Sequence, residues 1–177
     1  MRQDMQVLLY PDPQLRHRAE PINEITQRVC ERAEKMLELM YKYEGLGLAA
    51  PQIGWPVSLV VMDPTGERSG RRVFINPVIT HEEGEIIVDE GCLSLPGVFG
   101  KVVRSEMVKV VAFNLEGERI EVEAEGLEAR VWQHEADHLE GRLIIDKMTP
   151  ASRMSSSRRL KELEVLFKEG AVETQTL

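Results

Sequence analysis

One helical stretch of the sequence carries two histidines and a glutamate at a spacing that suits a metal ion. Residues 127–140 repeat apolar side chains with a helical period, and they contain His134-Glu135-Ala136-Asp137-His138. Residues four apart share a helix face, so both imidazoles can reach one ion at about 2.0–2.1 Å. Glu135 is rotated around the axis, which suits a base better than a ligand. A chance occurrence on a charged helix face is the weaker interpretation, so other segments must fold to complete a metal site against this helix.

Two histidines leave such a site one protein ligand short, because catalytic zinc sites generally take three. A metzincin would have a histidine at Ile144, so that family is excluded. A thermolysin-like site could use Glu162 or Glu164, although only 39 residues follow the second histidine. Cys92 offers a thiolate in a turn bounded by glycine and proline, and a buried apolar cysteine is the alternative interpretation. Cys30 lies beside the apolar stripe of the first helix and is interpreted as structural.

Hydrophobic periodicity predicts helices at both ends of the chain and strands between them. The predicted helices cover residues 23–43, 127–140 and 151–168, and Asn23 is the expected N-cap of the first. The predicted strands cover residues 57–62, 72–79, 85–88, 102–104, 107–114 and 118–125. Glu116-Gly117 joins the last two strands as an antiparallel hairpin with one solvated face. Because there is no βαβ alternation or internal repeat, the fold class is α+β.

A glycine-rich loop, Gly45-Leu-Gly-Leu-Ala-Ala-Pro-Gln52, follows the first helix. It superficially matches the dinucleotide-binding fingerprint, but that motif must follow a strand and open a helix. Here the segment follows a helix and runs into Pro51. It is either a loop that lets a substrate backbone approach closely and brings the Gln52 amide to a site, or a plain structural turn.

Charge and hydropathy narrow the classes of partner. The chain has 22 Lys+Arg and 30 Asp+Glu, a net charge of −8, which opposes binding to a phosphate backbone. Its apolar runs are far shorter than the roughly 20 residues of a membrane-spanning helix, and its first residues do not resemble a secretory signal. We therefore expect a cytoplasmic protein with reduced cysteines, no nucleic-acid specificity and no membrane partner.

Three segments together resemble the signature motifs of the peptide deformylases, in the family's order. They are Gly45-Leu-Gly-Leu-Ala-Ala-Pro-Gln52, Glu90-Gly-Cys-Leu-Ser94 and Gln133-His-Glu-Ala-Asp-His138. The resemblance extends from Tyr10-Pro-Asp-Pro through the helix after Pro150. It implies antiparallel sheets packed around a central H-E-x-x-H helix, with an N-terminal and a C-terminal helix. Residues 1–150 would form the catalytic domain, and residues 151–177 the terminal helix and tail of the same domain.

The resemblance also implies an activity and a metal ion. Deformylases remove the formyl group from the N-terminal formylmethionine of newly synthesised polypeptides and release formate. By this resemblance Cys92, His134 and His138 bind one divalent ion per chain, and Glu135 is the general acid and base. The family implies ferrous iron in the cell and zinc, nickel or cobalt after purification, whereas general rules for nitrogen and sulfur ligands favour zinc.

The substrate contacts implied by the resemblance lie in the same motifs. Gln52 and the backbone N–H of Leu93 would stabilise the oxyanion, and Gly47 and Gly91 would offer backbone groups to an extended peptide. The residues expected around the methionine side chain are Leu46, Val88, Leu127, Val131 and His134. Two positions depart from the family pattern: Leu46 stands where isoleucine or valine is more usual, and Trp132 is large for its place. They change the expected pocket shape and the packing behind the helix, but not the chemistry.

Two other functions stay open at the level of sequence. One is a small zincin-type endopeptidase, and the other is an inactive deformylase-like binding protein, although no motif residue is missing. The expected partners are N-formylmethionyl nascent peptides and, as in some deformylases, the ribosome near the peptide exit. The basic residues that would meet the ribosome are Arg153, Arg158, Arg159 and Lys161, for which a solvated helix face is the alternative. A monomer is expected.

Overall fold

The computed structural model describes residues 5–170, which form four helices and seven strands. The helices are α1 (Gln27–Lys42), α2 (Gly126–Leu139), α3 (Ile144–Lys147) and α4 (Pro150–Lys168). The strands are β1 (Gly47–Ala49), β2 (Leu59–Met62), β3 (Arg72–Glu83), β4 (Ile86–Gly91), β5 (Phe99–Arg104), β6 (Met107–Phe113) and β7 (Arg119–Glu125). The α+β class predicted from periodicity is therefore confirmed.

The strands form two antiparallel sheets. The larger has the order β1-β2-β3-β6-β7, and β4 pairs with β5 in the smaller. The hairpin predicted at Glu116-Gly117 joins β6 to β7, with Gly117 at a φ of 80°, where glycine is favoured. In the larger sheet β1 is an edge strand, and in the register of the smaller sheet Gly91 lies opposite Phe99. Strand β1 thus lies within the glycine-rich loop, and β4 ends at the glycine that precedes Cys92.

Helix α2 carries the H-E-x-x-H segment and is buried on more than one face. It contacts β1, β2, β3, β6 and β7, and both Trp132 and Asp137 are buried although they lie on different sides of the helix. Trp132 packs against Phe74 with ring centroids 4.4 Å apart. This large residue thus fills the space behind the helix. A helix surrounded in this way holds its side chains in fixed rotamers.

The terminal helices cover the remaining apolar faces. Helix α1 buries a stripe at helical spacing that includes Ala33, Met36 and Met40, and it packs on β1 and β2. Helix α4 begins at Pro150, where the Thr149 hydroxyl accepts a hydrogen bond from the Ser152 N–H at 3.3 Å. Among residues 5–170, no helix is long and apolar enough to cross a membrane.

Two predictions from the sequence were wrong in detail. Helix α1 begins at Gln27 with Thr26 as its N-cap, not at Asn23, because the Thr26 carbonyl accepts the first helical bonds from Val29 and Cys30. The glycine-rich loop contains strand β1, which pairs with β2 through residues 47–49 opposite 60–62. Three residues are too few for an alternating pattern to be read from the sequence.

Candidate active site

Three potential metal ligands converge between α2 and the loop after β4. The Sγ of Cys92 lies 3.3 Å from the Nε2 of His138, which lies 3.3 Å from the Nε2 of His134. The ligand atoms of all three residues lie within 4.8 Å of one another. Ligands bound tetrahedrally at about 2.0–2.3 Å lie roughly 3.3–3.6 Å apart, so these distances suit one ion. The donor set and its spacing therefore fit a divalent metal ion.

A buried carboxylate fixes the orientation of His134. Glu90 Oε2 lies 3.0 Å from His134 Nδ1, and an ionised carboxylate can only accept a hydrogen bond, so Nδ1 carries the proton. The lone pair of Nε2 then faces Cys92 and His138, as a metal ligand requires. Burial alone would raise the pKa of Glu90, but hydrogen bonds from Arg104 and His134 lower that pKa to about 2. Glu90 is thus held as an anion.

Arg104 connects this carboxylate to the far side of α2. Its Nε and Nη2 donate to the two oxygens of Glu90 at 2.8 and 2.9 Å, and its Nη1 donates to Asp137 Oδ2 at 2.7 Å. Burial opposes the charge of Arg104, but Glu90 and Asp137 outweigh it and raise the pKa of the guanidinium. One buried cation therefore ties β4 and β5 to the helix that bears both histidines.

Glu135 lies in a buried position beside β1. Burial raises the pKa of its carboxyl to about 7, a value that allows the group both to accept and to donate a proton near neutral pH. Its Oε2 is buried and has no hydrogen-bond partner within residues 5–170. A β-carbon added to Gly47 would lie 2.5 Å from Glu135 Oε1. Glycine at this position therefore makes room for the carboxylate.

Gln52 is held with its amide nitrogen toward the sulfur ligand. The Ala49 N–H donates to Gln52 Oε1 at 2.9 Å, which leaves Nε2 to donate to Ser94 Oγ at 3.1 Å. The same Nε2 lies 3.7 Å from Cys92 Sγ. Because both ends of the amide have partners, its donor stays aimed into the site.

A single cavity of about 530 Å³ joins these groups. Of the residues predicted from the sequence, it is lined by Leu46, Gly47, Gln52, Gly91, Cys92, Leu93, Leu127, Val131, His134 and Glu135. His138 lies behind the lining, in contact with Cys92. Val88 instead lines a neighbouring cavity that shares Leu127 and Arg130 with the first.

Sequence reasoning missed several residues of the site. Arg104 lies outside the three motifs, and nothing local in the sequence connects it to Glu90. Asp137 lies within a motif, but its side chain bonds Arg104 and not the cavity. Phe99 and Arg130 line the cavity without belonging to a motif. Exposed aromatic and basic residues are common on protein surfaces, so only their position in the fold distinguishes them.

Comparison with known proteins agrees with this geometry. A family model described as polypeptide deformylase matches residues 4–154. The peptide deformylase of Chromobacterium violaceum is 41% identical over 160 residues, which cover 90% of this chain and 96% of the relative. That of Halothermothrix orenii is 46% identical over 144 residues, which cover 81% and 93%.

Solved structures of deformylases superpose on most of the chain. Arabidopsis thaliana peptide deformylase 1B, solved with an inhibitor, has a TM-score of 0.90 at 40% identity and covers 94% of this chain and 93% of its own. The Thermotoga maritima peptide deformylase has a TM-score of 0.79 at 42% identity, with 84% and 99% covered. Since sequence, fold and motif order all agree, the chain belongs to the polypeptide deformylase family, hydrolases that remove the N-terminal formyl group of new polypeptides.

Proposed function

We propose that this chain hydrolyses the formamide of N-formylmethionyl polypeptides, with Cys92, His134 and His138 as the ligands of one divalent metal ion. The observation that carries the proposal is that Cys92 and His134, whose ligand atoms lie within 4.8 Å of that of His138, line one cavity together with Glu135 and Gln52. The ion would be ferrous iron in the cell, and zinc, nickel or cobalt could occupy the same ligands after purification. When bound, it would polarise the formyl oxygen and lower the pKa of a water molecule.

Glu135 would move the protons of the reaction. Its carboxylate would accept a proton from the attacking water, whose oxygen bonds to the formyl carbon, and would deliver it to the departing amine as the C–N bond breaks. The products are formate and a free N-terminal methionine. A pKa of about 7 supports this double role.

Gln52 and Leu93 would meet the charge that develops on the formyl oxygen. The Gln52 amide donor is fixed 3.7 Å from the sulfur ligand, and Leu93 follows that ligand directly in the chain. Donors fixed in advance stabilise developing charge without reorganisation.

The peptide itself would lie extended between the two sheets. Gly47 belongs to the edge strand of one sheet, and Gly91 ends β4 in the other, so each can offer backbone groups to an added strand. Leu46, Leu127 and Val131 would surround the methionine side chain, and Val88 would contribute from the neighbouring cavity.

The proposal extends to the domain organisation of the chain, its oligomeric state and its partners. Residues 1–150 and 151–177 would form one domain, monomeric and cytoplasmic, that acts on nascent peptides. Ribosome docking through α4 has weak support, because Arg159 donates to the Pro96 carbonyl and Arg153 to that of Ile145. Arg158 and Arg159 also pair with Glu162. Co-sedimentation with ribosomes that decreases as salt is raised would support docking, and its absence would favour a solvated face.

Three hydrolysis assays, each following the free N-terminal amine that the reaction would release, test the central proposal. We expect efficient hydrolysis of formyl-Met-Ala-Ser and almost none of acetyl-Met-Ala-Ser. The formyl carbon bears only a hydrogen where the acetyl carbon bears a methyl group, and that methyl group would be crowded in the site. Formyl-Ala-Ala-Ser should react about fiftyfold more slowly, since three buried apolar groups contribute about 0.8 kcal/mol each. Equal kcat/KM for the formyl and acetyl peptides would contradict the proposal, and cleavage of an N-blocked, internally labelled peptide would favour an endopeptidase.

A further inference from the structure

Phe99 is an aromatic residue whose backbone is held while its ring is exposed. It is the first residue of β5, and its carbonyl accepts a hydrogen bond from the Ser156 hydroxyl at 3.2 Å. The next residue, Gly100, packs closely against Ser152 and Met148. Phe99 nevertheless remains 69% exposed. A single exposed ring is common on protein surfaces, so the significance of Phe99 depends on what lies beside it.

The ring stands at the mouth of the catalytic cavity. Phe99 lines the same cavity as Cys92, His134 and Glu135. A β-carbon added to Gly91 would lie 2.5 Å from Phe99 Cε1, so the ring lies across the end of β4, one residue before Cys92. Any peptide that extends past Gly91 must pass close to this ring.

The small sheet has an inner and an outer face, and Phe99 belongs to the outer one. In β5, Gly100, Val102 and Arg104 are buried, whereas Phe99 and the residues that alternate with it are exposed. Glu90, which contacts His134, pairs with Gly100 and therefore points inward. Successive side chains of an extended peptide point to opposite faces. A first side chain directed inward toward α2 therefore leaves the second directed outward.

We propose that Phe99 is a specificity-determining residue that contacts the side chain of the second residue of the formylated peptide and favours large apolar side chains there. The inference rests on the proposed function. It adds a preference that the motifs do not contain, since Phe99 lies outside all three of them.

The expected effect is moderate, because the contact is at the rim of the cavity. Sheltering about 40–60 Å² of apolar surface corresponds to roughly a fivefold to tenfold change in binding. Since the contact is equally available to substrate and transition state, it should lower KM and leave kcat nearly unchanged.

The test compares formyl-Met-Phe-Ser with formyl-Met-Gly-Ser in a formate-release assay on the metal-loaded enzyme. The wild type should prefer the phenylalanine peptide by about fivefold to tenfold in kcat/KM. Phe99→Ala should reduce this ratio to about twofold or less, with kcat/KM for the glycine peptide changed by about twofold at most. Phe99→Tyr should retain the wild-type ratio, because its ring presents a similar apolar face.

A matched control uses the same substitution elsewhere. Phe113 is also exposed but ends β6 in the other sheet, so Phe113→Ala should keep the wild-type ratio. A wild-type ratio near one, an unchanged ratio in Phe99→Ala, or an equal loss on both peptides would each overturn the inference. Failure of the wild type to release formate from either peptide would instead refute the proposed function, and the inference with it.

Discussion

At the scale of single residues, the site depends on pairs that are far apart in the sequence. Glu135 has room only because position 47 carries no β-carbon, and His134 is oriented only because Glu90 accepts from its ring. The motifs indicate the candidate ligands, but these pairings also decide which atoms face the cavity. Two predictions follow at this scale, one for the metal ligands and one for proton transfer.

Cys92→Ala should lose most of the bound metal and of the activity, because it removes one of three ligands that lie within 4.8 Å of one another. Cys30→Ala is the control, since Cys30 lies on α1 and should cost only modest stability. Metal content per chain, measured by atomic emission after dialysis, distinguishes the two. Full occupancy in Cys92→Ala would remove Cys92 from the ligand set.

Glu135→Ala should keep its metal and lose about 10² to 10⁴ in kcat, the range that proton transfer by a positioned group supplies. Metal content and formate release measured on the same sample separate binding from chemistry. Glu135→Gln, which keeps the shape, should be similarly inactive. Activity near the wild-type level in both variants would exclude Glu135 as the proton-transfer group.

At the scale of elements, hydrophobic periodicity predicts the long helices and strands, but it does not predict which elements contact each other. Helix α2 and strands β6 and β7 begin and end within one residue of the ranges that their patterns predict. Strand β1 was not predicted, because three residues carry no period, and its place comes from pairing with β2. For the same reason, the sequence indicates Cys92 and both histidines but not Arg104, whose role comes from its contacts with Glu90 and Asp137 in the folded chain.

Gly47→Ala should displace the Glu135 carboxylate, because the new β-carbon would lie 2.5 Å from Oε1. The backbone of β1 is paired with β2 and cannot easily move, so kcat should fall by about tenfold or more, with metal content unchanged. Gly45→Ala is the comparison, since its β-carbon would meet the end of the Leu93 side chain at 2.9 Å, and that flexible group can shift. Equal kcat in the wild type and Gly47→Ala would contradict the close packing.

Arg104→Met should lower the free energy of unfolding by about 3–5 kcal/mol, because two buried carboxylates would lose their cation. Denaturant unfolding at pH 7 measures this. Arg119→Met is the control, since Arg119 and Glu121 are both exposed and such pairs are worth about 1 kcal/mol at most. Comparable losses in both variants would mean that the buried network adds nothing.

The same network gives a direction for the pH dependence. The pKa of Glu90 is lowered from 4.5 to about 2 in the folded chain, so its contribution is fully present above pH 4.5 and is lost as the pH falls toward 2. In Arg104→Met this acid-dependent loss should become smaller, because only His134 would still lower the pKa of Glu90. Unfolding free energies measured over that range would show it, and parallel curves for the two proteins would contradict the assignment.

At the scale of the whole molecule, α4 is part of the catalytic fold. Leu160 and Leu163 are buried in the cluster that also contains Val102 of β5, and the Tyr10 hydroxyl donates to Glu164 at 2.8 Å. The boundary after residue 150 therefore separates stretches of sequence that share one core.

Leu160→Ala should destabilise the entire chain by about 2–4 kcal/mol, the cost of a cavity in a packed core. A single unfolding transition, followed both by the fluorescence of Trp55 and Trp132 and by far-ultraviolet circular dichroism, would show that α4 unfolds with the rest. Met154→Ala is the control, because Met154 is 76% exposed. Loss of part of the helical circular dichroism at lower denaturant than the change in tryptophan fluorescence would instead identify α4 as a separate unit.

The two sheets approach each other at the cavity without sharing a strand, and this has a mechanical consequence. Cys92 follows strand β4 of the smaller sheet, whereas His134 and His138 belong to α2, which packs against the larger sheet. An ion held by all three would act as a cross-link that fixes the distance between the loop after β4 and helix α2. The width of the slot offered to a peptide would then depend partly on the same atoms that carry out the chemistry, beside the Arg104 network that already ties the small sheet to α2.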